Sequence, residues 1–471
     1  MSHTKVIATI GPASTSKEVL RELFAAGINV CRLNFSHGTH DDHLHVIHRI
    51  HELNREMNTN VTILADLQGP KLRIGMVENG SCELHDGQMI DLTTTECLCN
   101  AERLYINLPE FAHDVQPGET VLIDDGKVKL EIIETDQKSK VTAKVIYGGI
   151  LTSKKGFNLP ETKLTLPSLT EKDYADAEFA LDQNIDWIAL SFVRSAGDLI
   201  TLRDLLRSKK KFARVIAKIE KPEALENIDE IIDACNGIMV ARGDLGVEVP
   251  FDRVPMIQKM IVKKCIAQAK PVVIATQMLE SMTANFRPTR AEANDVANAV
   301  LDGADAVMLS AESASGKFPV EAVKVMRQII EWTETHGFQY NRETLPDIPS
   351  HTFLPDSICL NVCRLASQSQ AKAIVVFTHS GYTALRISSH RPQAETFVFT
   401  HNKSLVSKMA LVWGMHAYHS GEVNTIDEAI VQSIETLKQR GYLKTGDVVV
   451  HVGSTPFGEK GQTNMIKLSC V

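Results

Sequence analysis

Val215-Ile216-Ala217-Lys218-Ile219-Glu220 reads as a strand with a charged tip. Its apolar residues suit the middle of a buried strand, and a lysine and a glutamate stand two residues apart where that strand should end. Residues two apart share a face, so the ammonium and the carboxylate point the same way. Buried charge is costly unless paired, so the tip is either a surface ion pair or part of a site.

Outward from this stretch, short apolar runs alternate with amphipathic segments. The runs predict strands at 5–10, 29–35, 61–67, 187–193, 214–219, 237–242, 271–276 and 306–311. Helical patterns lie at 17–26, 41–57, 170–183, 198–209, 222–234, 253–269, 289–301 and 319–335, and Thr289 with Glu292 forms a capping box before the seventh. Eight strand–helix units with buried strands predict an α/β fold built on a (β/α)8 TIM barrel.

The pattern breaks over 70–166, where Asn79-Gly80, Asp86-Gly87, Pro117-Gly118 and Asp125-Gly126 punctuate short alternating segments. This predicts an all-β insert, a small barrel that leaves the large one after its third strand and lies over its mouth as a lid. A proline-bearing linker, Asn341–Leu354, leads to a further alternation: a helix at 356–369, a strand at 373–378, a helix at 382–389, and strands near 396–400 and 447–452. That is the grammar of a small doubly wound α/β domain. The expected domains are 1–69 with 167–340 (barrel), 70–166 (β-barrel lid) and 352–471 (C-terminal α/β regulatory domain).

A chain of 471 residues exceeds one ordinary core. The net charge of −8 argues against a general nucleic-acid binder but leaves room for a local phosphate site. Met1-Ser2-His3-Thr4-Lys5 leads directly into a strand, and no apolar run is long enough to span a bilayer. Nine cysteines without framework spacing suit reduced thiols, so a cytoplasmic protein without a membrane partner is expected. Cys97 and Cys99 lack two further ligands for zinc. The histidines at 40, 43, 45, 48 and 51 read as a solvated helix face rather than a metal site.

In a barrel of this type the strand ends converge on one face. Strand two ends in Arg32, Asn34, Ser36 and His37, and strand three in Asp66. Strand five gives Lys218 and Glu220, strand six Arg242, Gly243 and Asp244, strand seven Thr276 and Gln277, and strand eight Ser310 and Glu312. Glu220 and Asp244, on neighbouring strands, suit Mg2+ with waters. The cations suit a phosphate, and metal with cations around a phosphate implies phosphoryl transfer. Arg242-Gly243-Asp244-Leu245-Gly246 is a glycine-rich strand-to-helix turn whose backbone N–H groups suit a substrate carboxylate.

These residues carry a resemblance. The chain resembles pyruvate kinase of bacterial length from end to end, through ATIGPAS (8–14), RLNFSHG (32–38), KIE (218–220), MVARGDLGVEVP (239–250), ATQMLESM (275–282), RPTRAEANDVANAVLDGADAVMLSAE (287–312), GKFPVEAV (316–323) and SGYTA (380–384). The resemblance implies a glycolytic phosphotransferase that converts phosphoenolpyruvate and ADP to pyruvate and ATP with Mg2+, or Mn2+ in its place. It implies Lys218 as the catalytic lysine, with Arg73, Thr276 and Lys71 as further catalytic groups. Glu220 and Asp244 become the Mg2+ ligands. Gly243, Asp244 and Thr276 would hold the substrate carboxylate, and Arg32 and Arg73 its phosphate. Arg32 can also pair with Asp66. Asn34, His37, Arg73 and Lys155 become nucleotide contacts, although Lys155 reads equally as a solvated loop lysine. The family is usually a homotetramer, with 289–301 and the C-terminal domain as interface elements.

One departure matters chemically. The family usually carries a glutamate where Asp66-Leu67-Gln68-Gly69-Pro70-Lys71 has Lys71, and that glutamate helps a K+ site built with Asn34, Ser36 and Asp66. A fixed ammonium there would repel the ion and supply its charge, so K+ independence is expected. Ala311 replaces a frequent glycine and Ser195 a frequent lysine. In the C-terminal domain, Thr378, Ser380, Gly381 and Thr383 resemble the family's loop that binds a phosphorylated effector; the alternative reading is an ordinary capped turn. The loop Phe457–Asn464 is expected to face it. Two other readings remain: a Mg2+-dependent barrel lyase acting on a pyruvate enolate, and a non-catalytic metabolite-binding relative.

Overall fold

The computed structural model describes residues 2–209, 211–345, 350–421, 423, 425–456 and 463–471. Eight parallel strands close into a barrel: β1 (Lys5–Thr9), β2 (Val30–Asn34), β3 (Thr62–Asp66), β4 (Trp187–Leu190), β5 (Arg214–Ile219), β6 (Gly237–Ala241), β7 (Val272–Ala275) and β8 (Ala306–Leu309). Each pairs with its sequence neighbours, and β8 returns to β1 with Lys5 opposite Ala306. Strand alternation sorts the core. Ile7, Val30, Leu64, Trp187, Ile216, Met239 and Val273 fill the interior, while Val215, Ala217 and Ile219 pack outward under the helices. Lys218 and Glu220 continue the Ile216 face, so the strand delivers both to the barrel mouth.

Several strands stop short of the expected ends, and the backbone shows why. After β4, Phe192 takes φ 54°, and after β7, Thr276 and Gln277 take φ 68° and 54°. These left-handed kinks end the ladder and re-aim the rim residues. The single helix expected at 222–234 divides at Asn227 into Pro222–Glu226 and Ile228–Ala234. Thr289 and Glu292 form the expected capping box of helix Arg290–Asp302.

The insert leaves the barrel after β3. Strands Met89–Thr93, Arg103–Tyr105, Thr120–Ile123, Val128–Thr135, Lys140–Tyr147 and Phe157–Asn158 form one six-stranded sheet. Its two edges are joined by Arg73 and Ile74, which bridge to Gly156 and Ile106, so single bridges rather than a continuous ladder round it into a barrel-like shape. The insert has its own core, including Leu92, Phe111, Val121 and Val145.

The C-terminal sheet has the order 415–419, 395–400, 373–377, 448–453, 465–470, with the last strand antiparallel. Strands Met415–His419 and Met465–Cys470 and helix Ile426–Gln439 extend what the sequence pattern suggested. The order reverses between 373–377 and 448–453, which makes a topological switch point at the C-terminal ends of those strands. This domain packs on the barrel floor. Arg391 reaches Asp305 at 3.0 Å and Gly303 O at 2.7 Å, and Lys5 Nζ donates to Met415 O at 2.9 Å. Among the described residues no helix is long and apolar enough to cross a membrane.

Candidate active site

Lys218, only 9 % exposed, is the centre of the mouth. Its Nζ lies 2.9 Å from Glu220 Oε1 and 3.2 Å from Asp66 Oδ1, and donates to Ser191 Oγ at 2.7 Å. Burial opposes the charge, but the carboxylates of Asp66 and Glu220 outweigh it and raise the lysine's pKa. Lys218 is therefore a fixed ammonium. Asp66 is equally buried, and Lys218 and Arg32 overcome that burial to hold its carboxyl below the usual range. Arg32 donates to Asp66 Oδ2 from Nε at 2.7 Å and to Thr9 Oγ1 from Nη1 at 2.9 Å. The Arg32–Asp66 pair read from the sequence thus forms, with the guanidinium fixed at the rim.

Glu220 Oε2 accepts from Phe192 N at 2.8 Å. The kink at Phe192 is what turns that N–H toward the mouth. Asp244, on the short helix Arg242–Glu248, is pushed up to about 6 by burial and then by the charge of Glu220, against Lys218. Asp66, Glu220 and Asp244 face Lys218 and Arg32, so the cluster carries one negative charge in excess. That surplus fits a divalent cation held by Glu220 and Asp244. Among the described residues no group of three or more His, Cys, Asp or Glu is set to hold a metal, so further ligands would come from substrate and water.

Gly243 and Thr276 meet directly, with Gly243 N donating to Thr276 Oγ1 at 2.7 Å and that hydroxyl donating to Ala275 O at 2.6 Å. A Cβ at Gly243 would stand 3.3 Å from Thr276 Oγ1 and press on that hydroxyl. Arg242 does not enter the site: it pairs with Asp295 at 2.7 Å and donates to Thr276 O at 2.8 Å, bracing the strained turn. Glu312 accepts from Leu279 N and Ser310 N and is also structural.

A second group of cations stands beside this cluster. His37 is lowered by burial and by the charges of Lys71, Arg73 and Arg32, so all four share one electrostatic neighbourhood. Lys71 is itself lowered, by burial, Arg73 and Lys172, and makes no ion pair among the described residues. Its ammonium makes no hydrogen bond to Asn34, Ser36 or Asp66. Asn34 Oδ1 instead accepts from Ser36 N at 3.1 Å, closing a local turn. Lys172 Nζ, bonded to Phe35 O at 2.7 Å and to Asp176, holds that turn from below.

Lys155 is not brought to the cluster. It pairs with Asp124 of the insert at 2.8 Å. The adjacent Asp125 lies near enough that its charge helps raise Asp244, so the turn at Asp124–Gly126 leans over the mouth. Asn158 Nδ2 on Glu248 Oε1 at 2.8 Å, with Lys221 on the same oxygen at 2.6 Å, ties the insert to the rim.

The four proposed effector residues lie together at the switch point of the C-terminal sheet, but all three of their hydroxyls are engaged, Ser380 Oγ accepting from Tyr382 N at 3.4 Å. Thr378 Oγ1 accepts from Gly381 N at 3.1 Å, and Thr383 shares a 2.6 Å bond with Thr463. Of the facing loop, 457–462 lies outside the described residues. His40 pairs with Asp176 at 2.7 Å and His43 stacks on Phe35, so both histidines serve the fold.

Sequence reasoning passed over Thr9 and Ser191, although each stands at the C-terminal end of a barrel strand, β1 and β4. That position was the available signal. Glu248, Lys221 and Asn158 gave no signal, because their meeting depends on how the insert docks.

Comparison with known proteins places this geometry. The profile of the pyruvate kinase barrel domain matches residues 1–323, and that of the pyruvate kinase alpha/beta domain matches 356–469. The chain is similar to a pyruvate kinase of Geobacillus stearothermophilus, at 44 % identity over 99 % of this chain and 80 % of that one. It is similar to one of Agrobacterium vitis at 43 %, over 99 % and 98 %. A crystal structure of a pyruvate kinase from Cryptosporidium parvum superposes with a TM-score of 0.92 at 35 % identity, over 100 % of this chain and 96 % of that one. With its charged strand tips gathered around Lys218 and both parts of the family present in order, the chain belongs to the pyruvate kinase family.

Proposed function

We propose a division of labour among these residues for the family's reaction, in which phosphoenolpyruvate and ADP give pyruvate and ATP. The carrying observation is the buried ammonium of Lys218 fixed among Asp66, Glu220 and Ser191. Glu220 and Asp244 hold Mg2+, or Mn2+ in its place, which when bound offsets charge on the oxygens of the transferring group. Lys218 stabilises that group's charge without needing to reorganise, because its position is already fixed. Arg32, braced by Asp66, and Arg73 orient the phosphate.

The substrate carboxylate binds the N–H groups of Gly243 and Asp244. Thr276 Oγ1 occupies the Gly243 N–H, and it yields to a carboxylate oxygen when substrate enters. Thr276 then stands beside the enolate carbon that takes up the proton. Asn34, His37 and Lys155 contact the nucleotide under the lid, and Lys155 exchanges Asp124 for a phosphate oxygen as it does so. Lys71 supplies the positive charge of the monovalent site, and the enzyme turns over without K+. Its uncompensated ammonium beside His37 and Arg73 supports this. The same reading takes the 378–383 loop as the site of a phosphorylated effector, the assembly as a homotetramer, the bounds 1–69 with 167–340, 70–166 and 352–471 as domains, and the cytoplasm as location.

Coupled detection of ATP from phosphoenolpyruvate and ADP in K+-free Tris buffer with Mg2+ tests the reading. Turnover that is near zero there and restored by K+ would refute the role of Lys71. Absence of ATP with either salt would favour the lyase.

A further inference from the structure

The chain enters the insert past Gly69 and leaves it after strand Phe157–Asn158, and both places meet the same corner of the barrel mouth. At the entry, Gly69 takes φ 68°, and a Cβ there would stand 2.8 Å from Phe192 Cδ2 and 3.0 Å from Ser191 Cβ. The Phe192 ring thus lies against the hinge backbone at a distance that only a glycine allows. At the exit, Asn158 Nδ2 donates to Glu248 Oε1, the oxygen that Lys221 Nζ also holds. That ammonium lies 5.9 Å from the centre of the Phe192 ring.

Lys221 and Glu248 form a buried pair, 5 % and 4 % exposed. A buried ion pair adds little net stability, but it fixes direction. Glu248 Oε1, held by Lys221, offers the lid's amide one docking position. Asn158 stands opposite Leu122 in the strand ladder, two residues before Asp124. Its docking therefore sets where the Asp124–Gly126 turn lies over the mouth. Phe192 also reaches the other way. Its φ of 54° is a costly conformation for an aromatic residue, and it delivers the N–H that Glu220 Oε2 accepts at 2.8 Å. Glu220 and Lys221 are consecutive, so one holds the peptide of Phe192 while the next stands beside its ring.

We propose that Phe192 is a positioning residue that carries the docking of the lid to the carboxylate of Glu220. The clasp of Asn158, Glu248 and Lys221 confines its ring from one side, and the hinge at Gly69 confines it from the other. The confined ring keeps the strained peptide in place, and the peptide N–H fixes one oxygen of Glu220. With the clasp open, the peptide relaxes, the N–H turns away and the carboxylate loses its direction. Divalent-cation affinity at the mouth thus depends on contacts made at the root of the lid. The inference rests on the reading of Glu220 as a divalent-cation ligand.

Mn2+ titrated into the full chain without substrate or nucleotide, with free Mn2+ followed by electron paramagnetic resonance, reads the metal site without turnover. Asn158→Ala, a change confined to the lid, should weaken Mn2+ binding about fivefold, the worth of about one hydrogen bond. Phe192→Leu keeps the N–H but loses the ring, and should weaken binding by a similar factor. The two changes together should weaken it no further, because both break one route. Phe192→Tyr, which keeps a ring, should bind Mn2+ like wild type and respond to Asn158→Ala again. Unchanged Mn2+ affinity in Asn158→Ala overturns the proposal, and so do losses that multiply in the double variant. Melting temperatures certify folding, and Asn158 is only half-buried, so its arm stands even where a Phe192 variant fails to fold. Glu220→Gln separates the two readings. Wild-type Mn2+ affinity in that variant refutes the ligand assignment itself, whereas affinity lost there but kept in Asn158→Ala refutes only the relay through Phe192.

Discussion

Lys218 illustrates what a single residue owes to its neighbours. Two carboxylates keep it charged in a place where burial alone would neutralise it, and Ser191 fixes its direction. Lys218→Met should lower turnover by roughly a hundredfold to a thousandfold while phosphoenolpyruvate and Mg2+ still bind, measured by a coupled pyruvate assay beside calorimetry. Turnover close to wild type would end the assignment. Ser191 acts through Lys218, and it also donates to Leu67 O at 2.7 Å. Ser191→Ala should therefore cost about tenfold in kcat with KM for phosphoenolpyruvate little changed, in line with one hydrogen bond to a charged group. A rise confined to KM would make Ser191 a binding residue instead. Lys71→Glu should create a K+ requirement, with turnover in K+-free Tris falling at least about tenfold and returning on adding K+, since the substitution replaces a fixed cation by a carboxylate.

Elements convert such contacts into motion and into pH dependence. The insert hangs on two clamps at its hinge. Asp173 caps its own helix and accepts from Gly69 N at 3.0 Å, and Arg194 donates to Leu164 O and Leu166 O, both at 2.8 Å. Arg194→Met should loosen the lid, speeding hydrogen exchange across 70–166 and raising KM for ADP about tenfold. Unchanged exchange would show that Arg194 is not a clamp. Strand Val448–Gly453 carries His451, fully buried, whose pKa burial and Lys467 lower to about 4. The unfolded chain protonates this histidine first as pH falls, so the folded state loses stability below the ordinary histidine value and down to about 4. Between pH 7 and pH 5 that loss is about 2 kcal/mol. His451→Leu should remove this part of the acid sensitivity, read from urea unfolding at the two pH values; an identical pH slope would refute it.

At the scale of the molecule, one buried latch joins catalytic and C-terminal domains. Arg391, 1 % exposed, holds Asp305 and Gly303 O and lies 5.0 Å from the Trp413 ring centre, while Asp305 also accepts from Trp413 N and Val272 N. Arg391→Met leaves Asp305 buried without its counter-charge, at a cost of about 3–5 kcal/mol. Calorimetry should then show the C-terminal domain melting apart from the barrel, and Arg391→Met with Asp305→Asn should recover part of the loss. A single unshifted transition in the first variant would mean that the domains are held elsewhere. The strand Met465–Cys470 is an exposed edge of the C-terminal sheet, with Leu468 half exposed.

The sequence alone determined the barrel, the place of the insert and most of the rim, because alternation, turn dipeptides and capping boxes are local signals. It left the outer strands of the C-terminal sheet unread. Met465–Cys470 is an exposed edge with little apolar pattern, and Met415–His419 alternates with histidines. Only the tertiary structure decided which charges meet. Lys155 sits with Asp124 through the strand pairing inside the insert, while Arg242 with Asp295 and Ser191 under Lys218 depend on the kinks after β7 and β4. The stretch from Val215 to Glu220 announced a charged tip. That its foot, Arg214, lines a cleft shared with Asp233, Tyr382 and Arg386 could be seen only once the C-terminal domain lay against the barrel floor, because long-range packing brings together residues that no sequence spacing relates.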